Sequence, residues 1–119
     1  MNHDTLDARL CPRFHAAVEL IGKRWSGAVV QLLLGGPRRF HDLKRAVPEI
    51  SDKMLSERLK ELEAAGIVRR TVAPTTPVRI EYHLTPKGQA LEGPLRSLSE
   101  WAEGWLEAPP EGEPEPVRR

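Results

Sequence analysis

Cysteine is almost absent: Cys11 is the single one in 119 residues, which excludes an internal disulfide framework. The four histidines, His3, His15, His41 and His83, are scattered without metal-ligand spacing, so no structural zinc or other metal is expected. No stretch reaches the roughly 18 consecutive apolar residues that a membrane span needs. Residues 1–13 read MNHDTLDARLCPR and lack the apolar run of a signal peptide, so a cytoplasmic protein with no membrane partner is expected. A phosphate-cradling glycine loop and an activated Ser/His/Asp set are both missing. Cys11 with His15 or His41 is too little for a thiol enzyme, and neither catalysis nor a cofactor is expected. An excess of one charge is missing too: 18 Lys and Arg stand against 17 Asp and Glu, a net +1 that names no partner.

The composition, 39% apolar and 29% charged, is that of a globular domain, and the length allows one. Charge is unevenly placed. By segment it is +1 over residues 1–37, +4 over 38–87 and −4 over 88–119. Residues 108–119 carry four prolines and three glutamates in twelve positions, too little apolar matter for a core. The expected organisation is a flexible arm at 1–10, one domain at 11–107 and a disordered Pro/Glu-rich tail at 108–119.

Pro12 suits a helix N-terminus, and Phe14, Ala17, Val18 and Ile21 recur on one face before Gly22. A second periodic segment runs from Trp25 through Ala28, Val29, Leu32 and Leu33 to the turn at Gly35-Gly36-Pro37. Arg38-Arg39-Phe40 suffices for one β-bridge, and residues 41–47 for a short helix with Leu43 and Val47 inward. Ser51 then caps the clearest helix, 51–65, which Gly66 stops. Its inner face holds Met54, Leu55, Leu59, Leu62 and Ala65; its outer face holds Lys53, Ser56, Glu57 and Lys60. Alternation predicts strands over 67–73 and 79–84, with Val68, Arg70 and Val72 on one face of the first and Ile80, Tyr82 and Leu84 together on one face of the second. The connection 74–78 has two prolines and is expected to be stiff and extended. Thr85-Pro86 opens a last helix with Leu91, Leu95, Leu98, Ala102 and Trp105 in a stripe and a kink at Gly93-Pro94.

This order predicts a mainly α fold with a small β-hairpin, an α+β winged helix-turn-helix. A duplex major groove about 12 Å wide admits one such helix, and flanking cations hold phosphates. The expected base contacts are Ser51, Asp52, Lys53, Ser56, Glu57 and Lys60, with double-stranded DNA as partner. Glu57 either accepts from a cytosine amino group or pairs with Lys53 or Lys60. Arg39, His41, Lys44, Arg45 and Arg79 are the expected backbone contacts, with the wing at 74–79. A winged helix that binds protein and no DNA is the alternative, against which the basic middle argues.

Cys11-Pro12, Gly22-Lys23-Arg24-Trp25, Arg39-Phe40-His41-Asp42-Leu43, Ile50-Ser51-Asp52-Lys53-Met54-Leu55-Ser56, Arg58-Leu59-Lys60-Glu61-Leu62, Gly66-Ile67-Val68-Arg69-Arg70, Pro77, Glu81-Tyr82-His83-Leu84-Thr85 and Trp101 together resemble the HxlR family of bacterial regulators, related to the MarR group. The resemblance spans about residues 11–106. Arg24 is a departure, since many members read Gly-Lys-Trp there, and it bears on local helix phasing. The resemblance implies a homodimer, built by the first and last helices, on a pseudo-palindromic operator, most often as a repressor. Apolar surface points the same way: Phe14, Val18, Leu91, Leu95, Leu98, Trp101, Ala102 and Trp105 are the expected dimer interface.

Cys11 stands at a helix start with Arg9, Arg13 and His15 near in sequence, a setting that favours a reactive thiolate. Some members of the resembling family sense thiol-reactive or oxidative stress at such a cysteine. The expected effector is thus an electrophile or oxidant, with a plain helix-cap residue as the alternative.

Overall fold

The computed structural model describes residues 11–107; the expected arm and tail lie outside them. The order is α1 (Pro12–Ile21), α2 (Ser26–Leu34), α3 (Phe40–Ala46), α4 (Asp52–Ala64), β1 (Val68–Ala73), β2 (Arg79–Leu84), α5 (Pro86–Gln89) and α6 (Glu92–Trp105). The strands form one antiparallel hairpin, in which Val68 faces Leu84, Arg70 faces Tyr82 and Val72 faces Ile80. This is the expected winged helix-turn-helix. The predicted strand pattern also holds, because the two apolar rows share one face.

The core forms around α2. Val29, Val30 and Leu33 meet Leu43 of α3, Leu55, Leu59 and Leu62 of α4, and Ile50, Ile67, Val68 and Leu95. Each is at most 7% exposed, so truncating one of these leucines to alanine costs about 2–5 kcal/mol. Three polar devices fix the frame. Arg38 exchanges two backbone hydrogen bonds with Tyr82, which ties the α2–α3 turn to the hairpin. Ser51 Oγ accepts from the Met54 N–H at 3.0 Å and caps α4. At the other end of α4, Gly66 takes φ 78°, and Lys87 Nζ donates to the Ala65 carbonyl at 2.7 Å, placing a cation at the negative end of the helix.

Two expectations change. The last helix is not one kinked rod: it breaks at Ala90-Leu91, so that Pro94 sits in the first turn of α6, where a missing N–H costs nothing. Helix α2 starts at Ser26, and Trp25 before it lies in the left-handed region at φ 77°. The extra arginine at position 24 therefore falls in a turn, and α2 keeps its phase.

The interface stripe also divides. Leu95 is buried in the protomer's own core, which takes it out of the expected dimer interface, and Leu91 is half-buried against that core. Leu98, Trp101 and Trp105 turn roughly 60–120° away from Leu95 around the helix and are exposed at 57%, 53% and 77%. Ala102 is half-buried, on the side of Leu95. Helix α1 buries none of its residues, and Phe14 and Val18 are exposed on it.

Candidate nucleic-acid interface

The outer face of α4 follows from its inner one. Leu55, Leu59 and Leu62 are buried, so helical geometry turns Lys53, Glu57 and Lys60 outward, all exposed, with Ser56 half-exposed. No ion pair among the described residues takes Lys53, Glu57 or Lys60, so the expected pairing of Glu57 with either lysine is not formed. Asp52 and Ser51 lie exposed at the N-terminus of α4, where backbone N–H groups point outward. The Ser51 hydroxyl already accepts one of these bonds and keeps its own proton to donate and one lone pair to accept.

Helix α3 supplies the flank. His41 and Arg45 are exposed. Arg39 precedes the helix, its N–H donating to Asp42 Oδ2 at 3.2 Å and its Nε lying 3.7 Å from the same oxygen. That backbone hydrogen bond, with the Arg39 charge, holds the Asp42 carboxyl below its ordinary value. Lys44 behaves differently from the expectation. Its ammonium donates to the Pro48 carbonyl at 3.0 Å and to the Ile50 carbonyl, closing the turn between α3 and α4 instead of reaching outward. Sequence reading missed this because those carbonyls become acceptors only once the turn has formed.

On the hairpin, Arg79 is exposed on the same face as Arg69, Thr71 and His83. Arg69 and Arg70 were not singled out from sequence, though both are exposed cations on β1. Thr71 Oγ1 lies 2.8 Å from His83 Nε2, and Glu81 Oε1 3.8 Å from the same nitrogen. The loop 74–78 is exposed throughout, and Thr75 Oγ1 donates to the Pro77 carbonyl at 2.7 Å.

Exposed basic side chains on α3 and the hairpin thus accompany an outward face of α4 whose other face is packed in the core. A model of the HxlR-like helix-turn-helix family matches residues 20–110. The chain belongs to that family. It is 50% identical over 100 residues to YvaP, an uncharacterised helix-turn-helix-type transcriptional regulator of Bacillus subtilis strain 168, covering 84% of this chain and 93% of that one. Its fold matches the reduced form of the transcriptional regulator YodB from B. subtilis with a TM-score of 0.77 at 46% identity, over 82% of this chain and 96% of YodB. The quinone-bound form of YodB matches with a TM-score of 0.72 at 42% identity, over 81% and 100%. The redox regulator HypR in its oxidised form matches with a TM-score of 0.76 at 36% identity, over 82% and 100%. These relatives are named as regulators, YvaP and YodB as transcriptional ones.

Cys11 is the N-cap of α1 and is exposed, with no side-chain capping bond. His15 lies 3.5 Å from Glu19 one turn further on. Among the described residues no group of His, Cys, Asp and Glu could hold a metal, and no helix is long and apolar enough to cross a membrane.

The divided roles within α3 give one expected result. Lys44→Ala should lower stability by about 1–3 kcal/mol, because two carbonyls lose a charged donor, whereas Arg45→Ala should leave stability within about 0.5 kcal/mol. Urea unfolding of the two variants reads the difference directly.

Proposed function

We propose that this chain is a sequence-specific DNA-binding transcriptional regulator that acts as a homodimer in the cytoplasm and represses by occupying a pseudo-palindromic operator. Helix α4 enters the major groove with Lys53, Ser56, Glu57 and Lys60 at base edges and Ser51 and Asp52 at its mouth. Arg39, His41, Arg45 and Arg79 hold phosphates, and the wing at 74–79 lies on the flanking backbone or minor groove. The observation that carries this reading is the exposed face of α4: cations and a carboxylate left outside every ion pair of the described residues, on a helix whose other face is locked into the core. The exposed Phe14, Val18, Leu98, Trp101 and Trp105 support the dimer. The exposed Cys11, and a relative crystallised in a quinone-bound form, support regulation by a thiol-reactive electrophile or oxidant at this residue.

Duplexes selected from a random pool by the full chain test the reading. Phosphate contacts require log affinity to fall linearly with log salt, with a slope of about −0.9 per phosphate neutralised. A failure to select any duplex would overturn it in favour of a protein-binding winged helix. Cys11→Ser is expected to bind the selected duplex like the parent and to keep binding after treatment with a quinone; equal loss in both would remove Cys11 from regulation.

A further inference from the structure

The turn between α1 and α2 is tied to α4 by polar side chains on the flank of that helix. Arg58 is 13% exposed, on the flank of α4; its Nε donates to the Arg24 carbonyl at 2.8 Å, and its Nη1 donates to Glu61 Oε1 at 3.0 Å. Glu61 offers its other oxygen to Lys23 Nζ at 3.3 Å. The Arg24 guanidinium lies 4.8 Å above the Trp25 ring, and Trp25 itself is held at φ 77°, a conformation that a bulky residue adopts only when its surroundings impose it. Helix α1 has no fully buried residue; only Leu20 and Ile21, in its last turn beside this joint, pack against the core, so its placement rests on that end.

We propose that Arg58, Glu61 and Lys23 form a joint that couples the position of α1 to that of α4, with Arg58 as a positioning residue for the recognition helix. A guanidinium can bridge a carbonyl and a carboxylate at once because its donors are fixed in a plane; an ammonium keeps the charge and loses that fork. Whatever moves α1 therefore shifts α4, and whatever holds α4 stiffens α1, since coupling of two sites is reciprocal. The consequence for DNA rests on the function proposed above; the mechanical coupling does not.

Amide hydrogen exchange and duplex binding on the full chain test it with Arg58→Lys and with Lys23→Gln, the second at a half-exposed position where loss of the fold is not at issue. In both variants the amides of residues 22–26 and of the second half of α4 should exchange faster together. Affinity for the selected duplex should drop, roughly tenfold for Arg58→Lys and less for Lys23→Gln, with the salt slope unchanged because no phosphate contact is removed. Faster exchange on only one side of the joint, or no change in either segment, overturns the proposal. Full duplex affinity in Arg58→Lys, or a shallower salt slope, overturns the positioning role. Concerted exchange in a chain that selects no duplex leaves the joint standing and sinks the DNA-binding reading instead.

Discussion

Replacing Gly88 by alanine is expected to cost about 3 kcal/mol, at the upper end of what one added methyl does in a packed site. The methyl carbon would lie 2.3 Å from the Ile67 carbonyl oxygen, 3.0 Å from Leu84 Cδ2 and 3.1 Å from Ile67 Cγ2. The first of these is backbone and cannot rotate away. That same carbonyl accepts from the Thr85 N–H at 2.9 Å, so any retreat also loosens the junction of the hairpin with α5. Gly93 is the control. Nothing lies within 4 Å of a methyl there, and Gly93→Ala should be neutral or stabilising by up to about 1 kcal/mol. Opposite signs in chemical denaturation, from two glycines five positions apart, check the packing around Ile67.

The second large effect concerns assembly. Leu98→Glu combined with Trp101→Glu is expected to convert a dimer to a monomer and to weaken operator binding by about a hundredfold or more, because a second half-site no longer binds intramolecularly. Both positions are more than half exposed in the protomer, so the fold should lose little. Sedimentation gives the mass and titration of the selected duplex the affinity. A variant that stays dimeric would move the interface away from α6.

Much of this was legible in advance because local signals agreed with the fold. Ser51 and Gly66 bound α4 where capping chemistry places them, and the alternation in 67–73 and 79–84 marked the two strands, whose rows the pairing register brings onto one face. What escaped depends on contacts that exist only once the chain has folded. Lys44 and Lys87 act on carbonyls, which every residue possesses and no motif marks. Arg58 finds its acceptor 34 residues away, and Gly88 is required only because Ile67 passes over it. The stripe of α6 divides for a geometric reason: Leu98, Trp101 and Trp105 wind off the face on which Leu95 meets the core. The near-neutral total charge likewise concealed a basic segment over 38–87, which holds α3, α4 and the hairpin with every proposed DNA contact.

Base reading by α4 is the step on which the proposed regulation rests. Its most direct test is the sequence preference of Lys53→Ala and Ser56→Ala, measured over a full set of single-base variants of the selected duplex. Altered preference is expected at a few positions, repeated symmetrically in two half-sites about one helical turn apart, with roughly 1–3 kcal/mol of discrimination lost at each. An unchanged preference in both variants, with affinity lowered equally for every sequence, would contradict it.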